Sequence, residues 1–252
     1  MRLYSDINVY LVAIVFPPSL GATPCSSRYQ TNMAGKLDLW PYRSLQPMAP
    51  NLPRAYAGHQ YGSPNAPHTL EVYLDYVCPF SAKIYKKLRE QVLPYLDAEY
   101  PNKVKFIFRH QVQSWHPSST MVHEAGLAVE RIDSSKFFEF SDVLFERQTE
   151  YFDVNVYRKS RYEIYGQLAD LAQSVGVSGE AFLALVSISS DGEALNVGNK
   201  VTDELKLFIK LGRQKGIHVS PTVLWDGITD DSISSGWELD QWKEYFKTNI
   251  TA

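Results

Sequence analysis

Cysteine is nearly missing from this chain: 252 residues contain two, Cys25 and Cys78. Two cysteines build neither a disulfide framework nor a multi-cysteine zinc site. Such usage suits a reducing compartment. Long apolar runs are missing as well. No stretch reaches the roughly 20 residues that a membrane-spanning helix needs. Residues 9–16 form a short apolar run behind Arg2, followed by the small residues Ser19, Gly21 and Ala22. That pattern leaves a secretory leader open, but Asp6 and Pro17-Pro18 speak against it, and a start at Met33 removes the run altogether. A cytoplasmic location is therefore expected. Charge of one sign is scarce too. The formal net charge is −3 and no basic run stands out, so there is no electrostatic basis for nucleic-acid binding. A Gly-rich phosphate loop, a G-x-S-x-G elbow and an H-E-x-x-H pair are all absent.

What remains is an ordinary globular composition, 44% hydrophobic and 21% charged, in a chain long enough for one large domain or a domain with an insertion. Nine of the fourteen prolines precede Thr69, among Gly, Ser and Asn. Residues 1–66 thus read as a Pro-rich, largely disordered extension. Cys25 falls in it, either as an incidental thiol or as a resolving partner for Cys78.

The chain turns on Asp75-Tyr-Val-Cys78-Pro79-Phe80-Ser81. Residues 69–77 (TLEVYLDYV) are rich in β-branched and aromatic residues, with Leu70, Val72, Leu74 and Tyr76 alternating. From Ser81 the spacing becomes helical: Ile84, Leu88 and Val92 recur every four residues. Pro79 is tolerated in a first helical turn, where its missing N–H is not needed. Cys78 is therefore expected at a helix N-terminus, where free N–H groups and the helix dipole favour a thiolate. Thiols so placed have pKa values lowered to ~3.5–7.5 from about 8.5. Asp75 either tunes that thiolate or caps the helix start.

Pro94 should kink or end this first helix. Residues 103–110 (KVKFIFRH) read as the next strand, and a strand–helix–strand unit predicts a right-handed crossover with parallel strands. Cys78 and the segment around His116 then share the carboxyl edge of the sheet. His116 is a candidate acid or base there, or else a surface histidine. His110 and His123 read as structural, and three histidines without a carboxylate pattern do not predict a metal site. Residues 118–195 read as helices throughout. Val122, Ala125 and Val129 mark one face, Phe137, Phe140 and Leu144 a second, and Ser160-Arg-Tyr-Glu163 a capping box. Val201, Leu205 and Phe208 begin another helix, which Gly216 is placed to stop. Residues 222–225 and 232–235 read as an antiparallel pair around Asp226-Gly227, and Leu239, Trp242 and Phe246 as a closing helix.

A strand, Cys-Pro-Phe-Ser and a helix, with Val219-Ser220-Pro221-Thr222 far downstream, resemble the thioredoxin superfamily in its DsbA-like branch. The resemblance implies an α/β, thioredoxin-like fold in the order β-α-β, helical insertion, α-β-β-α. Residues 67–117 and 196–252 would form the thioredoxin-like domain and 118–195 the inserted helical subdomain. It also implies a cis Ser220–Pro221 bond facing Cys78, where the residues alone also allow a trans proline starting an edge strand. Pro79, Phe80, His116, Ser220 and Pro221 become the candidate substrate-contacting residues, and Cys78 and Ser81 the catalytic pair. The chain departs from the C-x-x-C pattern at Ser81, because a hydroxyl forms no disulfide. Ser81 is left to hydrogen-bond the Cys78 thiolate. The leading expectation is a monothiol thiol–disulfide oxidoreductase with no bound cofactor, using glutathione as co-substrate on a disulfide-containing peptide. Two others stand beside it. One is a glutathione transferase or isomerase like the kappa class and the chromene-carboxylate isomerases, whose Ser-Pro-aromatic-Ser motif carries serine where Cys78 stands. The other is a non-catalytic peptide-binding module.

Overall fold

The computed structural model describes residues 59–188 and 194–250. Residues 9–16, Cys25 and Met33 lie outside them. Strands β2 (His68–Leu74) and β3 (Val104–His110) run parallel, from His68 opposite Val104 to Leu74 opposite His110. They form the centre of a sheet ordered β1-β3-β2-β4-β5 among the described residues.

Strand β2 stops three residues short of the predicted Val77. The cause is Asp75. Val77 N–H donates to its Oδ1 at 3.1 Å and Cys78 N–H to its carbonyl at 3.0 Å, so a turn replaces extended chain. Helix α1 (Pro79–Lys87) follows, with Pro79 in its first turn. Residues Leu88–Val92 form a π-helical turn before α2 (Leu93–Glu99), which carries Pro94 in its own first turn. The interruption at Pro94 is thus absorbed by one wide turn, and the apolar stripe of Ile84, Leu88, Val92 and Leu96 stays buried.

Two departures from expectation lie at the sheet edges. Strand β1 (Gln60–Tyr61) pairs antiparallel with β3, so ordered sheet begins inside the stretch read as Pro-rich extension up to residue 66. At the other edge, β4 (Thr222–Trp225) pairs with β5 (Ile228–Thr229) and not with residues 232–235. Asp226 and Gly227 both take positive φ, 50° and 84°. That gives a two-residue hairpin, and the returning strand starts at once. Asp226 holds the corner by accepting Thr69 N–H at 2.7 Å.

Between β3 and α8 (Thr202–Gln214) the described chain is helical: α3 (Ser119–Ile132), α4 (Phe137–Glu146), α5 (Asp153–Val156), α6 (Arg161–Ser174) and α7 (Gly179–Val186), with short 3-10 turns. Ser160 and Glu163 form the capping box of α6. Gly216, at φ 73°, ends α8. Phe106 and Phe108 of β3 share one continuous core with Phe140, Leu168 and Phe182 of the helical block. Trp242 and Phe246 of α9 (Leu239–Asn249) belong to the same core. A smaller cluster of Tyr73, Ile217 and Leu224 fills the opposite face of the sheet.

Candidate active site

Cys78 is the N-cap of α1 and is 6% exposed. Its carbonyl accepts Ala82 N–H at 3.1 Å, and its thiol donates to the carbonyl of Ser220 at 3.4 Å. The Ser220–Pro221 peptide bond is cis. The helix start and the loop before β4, 142 residues apart, therefore meet at the sulfur. The antiparallel pairing of β2 with β4, Tyr73 opposite Thr222, brings them together.

Ser81 is fully buried and turned away from the surface. Its hydroxyl oxygen accepts Asp75 N–H at 3.2 Å. Among the described residues it makes no hydrogen bond to Cys78, which departs from the expected Ser81–thiolate contact. The turn at Asp75 explains this, because it presents an N–H that the first turn of α1 leaves to Ser81.

Asp75 is the hub of the site and has no solvent exposure. Its Oδ1 accepts Val77 N–H and, at 2.9 Å, the Ser119 hydroxyl. Its Oδ2 lies 2.7 Å from His116 Nδ1, and His123 Nε2 stands 3.4 Å from Oδ1. Burial pushes this carboxyl up. The neighbouring His123, then the hydrogen bonds of His116 and Val77, outweigh it and hold Asp75 below the usual carboxylate range. Sequence reading noticed Asp75 only as a tuning or capping residue. Its long-range partners come from the loop after β3 and from α3, and no local pattern announces them.

His116 is partly exposed and lines a cleft of about 310 Å³ together with Val77, Pro79, Tyr151, Phe152 and Val154. The cleft runs from the cysteine turn to the helical block beside α5. Phe80 and Trp115 are exposed, 62% and 59%, and neither lines it. Of the residues singled out in the sequence, the fold thus joins Cys78 to Ser220-Pro221, and Pro79 to His116. It places Ser81 behind the turn and leaves Phe80 in the open. The cleft wall at Tyr151, Phe152 and Val154 had no signal beyond ordinary helical patterning. No group of three or more metal-ligating side chains with suitable geometry occurs among the described residues.

A cysteine at the N-terminus of the helix that follows the first central strand, facing a cis-proline loop across the sheet edge, defines the thioredoxin class of fold. The family model described as thioredoxin matches residues 55–235, most of the chain, and the chain belongs to that family. Its helical block between β3 and α8 gives it the fold of the DsbA-like branch. Solved structures agree on the fold. A Pseudomonas syringae protein named as a candidate protein-disulfide isomerase is 23% identical, with a TM-score of 0.59, over 76% of this chain and 98% of that one. MdbA, a thiol-disulfide oxidoreductase from Actinomyces oris, is 18% identical with a TM-score of 0.57, over 80% and 95%. BdbD from Bacillus subtilis, in its oxidised form, is 20% identical with a TM-score of 0.54, over 77% and 94%. No curated protein matches the chain significantly.

Proposed function

We propose that this protein is a monothiol thiol–disulfide oxidoreductase that turns over with glutathione. The observation that carries the reading is Cys78 at the start of α1, 3.4 Å from the Ser220 carbonyl, with a buried serine in the position of a second sulfur. Kinship with the thioredoxin family supports it. Two of the similar folds carry names of thiol–disulfide chemistry, which supports the same reading.

The reaction follows from the sulfur count. The Cys78 thiolate attacks the glutathione sulfur of a protein–glutathione mixed disulfide. A Cys78–glutathione disulfide forms, and the substrate sulfur leaves as thiolate and takes up a proton. Ser81 cannot attack that disulfide. A second glutathione thiolate does so, releasing oxidised glutathione and restoring the Cys78 thiolate. The sum consumes one mixed disulfide and one glutathione thiol and yields one substrate thiol and one oxidised glutathione, so thiols and disulfides balance.

His116 is suited to supply and remove the protons. Asp75 holds its Nδ1, so Nε2 is the nitrogen left for the cleft. Tyr151, Phe152 and Val154 make the wall largely apolar, with the carboxylate of Asp153 among them, and it would take an apolar side chain beside the scissile disulfide.

The test is a glutathione-coupled reductase assay with intact-mass analysis. Native protein should acquire one glutathione, on Cys78, and reduce the mixed-disulfide substrate. Cys78→Ser should lose the adduct there and nearly all of its rate, as expected for loss of a covalent nucleophile. Full activity in Cys78→Ser would sink the proposal.

A further inference from the structure

Four of the chain's six histidines stand in one line through the core. Glu130 on α3 is hydrogen-bonded to Nδ1 of His59, which precedes β1. His59 Nε2 faces His110 Nε2 at 2.8 Å, and His110 Nδ1 faces His123 Nδ1 at 2.7 Å. His123 Nε2 then stands 3.4 Å from Asp75 Oδ1, and Asp75 Oδ2 meets His116 Nδ1. The side chains of His59, His123 and Asp75 have no exposure, and His110 is fully buried. Phe137 of α4 stacks flat on His59 at 3.5 Å between centroids, and Phe208 of α8 stands 5.0 Å from His110.

Each link between two such groups uses one proton, because a neutral imidazole has one N–H and one lone pair and a carboxylate only accepts. Three neutral rings bring three protons. The three short links consume them all, and they must run one way. His59 donates to Glu130, His110 Nε2–H to His59, and His123 Nδ1–H to His110. His123 Nε2 is then a bare lone pair facing a buried carboxylate oxygen, and among the described residues it has no hydrogen-bond partner. Two acceptors face to face in a dry interior repel one another.

We infer that His123 is a proton-binding site: it holds a fourth proton as a buried imidazolium, with Nδ1–H on His110 and Nε2–H against Asp75. The need for that proton comes from having a carboxylate at both ends of the line. Other charges do not replace it. The charge of Arg109 on β3 is felt at His59, but Arg109 is ion-paired with Glu71 at 2.8 Å. The Tyr76 hydroxyl is joined to Ser141 of α4 at 2.7 Å. Burial, then the neighbouring His59 and His123, hold His110 well below the ordinary imidazole range. Burial also lowers His59, against the hydrogen bond and charge of Glu130. Neither ring is therefore the seat of the charge. Because Asp75 is shared with Val77 and His116, loss of the proton removes a counter-charge from beneath the cysteine turn. The site is thus a pH-responsive support of that turn, whatever the substrate of Cys78.

Histidine-selective 15N labelling of the full chain tests this by NMR. At neutral pH, His59, His110 and His123 should carry four ring protons in total, with both nitrogens of His123 protonated and His110 protonated on Nε2. Three neutral rings overturn the inference. Glu130→Gln offers an amide N–H to His59 Nδ1, so three ring protons then suffice. The line reverses, His110 moves its proton to Nδ1 and His123 becomes neutral. A merely structural cluster would keep its tautomers. If Glu130→Gln does not fold, the ring-proton count of the native protein decides by itself.

Discussion

Ser81 occupies the place where a dithiol site keeps its second sulfur, and its hydroxyl closes the turn on Asp75 N–H. Ser81→Cys should restore an internal disulfide with Cys78. After oxidised glutathione, both thiols should resist alkylation and the glutathione adduct should disappear; a persisting adduct contradicts this. The same change should cost about 1–3 kcal/mol in the reduced form, because a buried N–H loses its acceptor. At this scale the sequence was readable where neighbours decide. Cys78 at a helix start followed from strand pattern, Pro79 and helix pattern, all within a few residues. The roles of Asp75 and His123 were not readable, because their partners arrive from 41 to 48 residues away, across the crossover.

Helices and strands formed where local chemistry was strong, and the capping box is the clearest example. Ser160 Oγ accepts Glu163 N–H, and Glu163 reaches back to Ser160 N–H. Ser160→Ala should lower stability by about 1 kcal/mol, read from the urea midpoint with the slope unchanged. An unchanged midpoint would mean that packing alone holds α6. The hairpin of β4 and β5 carries the opposite lesson. Asp226-Gly227 was recognised as a turn, but its returning strand was sought too far downstream. Ile228 and Thr229 are exposed edge residues without a buried face, so alternation had nothing to show. Strand β1 escaped notice for a similar reason. Two residues carry no periodicity, and only the free edge of β3 makes them a strand.

Over the whole molecule, one core joins sheet and helical block, and the buried histidines lie inside it. Acid should therefore act on the entire fold. In the folded chain His110 and His59 are held below the ordinary value of 6.5. Below that pH the unfolded chain takes up protons that these rings refuse, so stability falls as pH drops. Asp75 adds a second loss. Its contribution is present above the ordinary value of 3.8 and fades as pH falls through its lowered folded value. Urea midpoints taken from neutrality to about pH 5 should decline, and His110→Phe should flatten the first part of that decline if it folds; a pH-independent midpoint would contradict the burial argument. The amino-acid sequence by itself determined the parallel β2–α1–β3 unit, the run of helices after it and the seat of Cys78. Periodicity, proline and capping act over a few residues and leave their mark in the chain. Only the tertiary structure decided which groups stand around the sulfur. The Ser220 carbonyl, the Asp75–His116 pair, the wall at Tyr151 and the line of imidazoles are meetings of distant segments. Burial there turns ordinary polar residues into a site, because a buried donor or acceptor must find its partner across the fold.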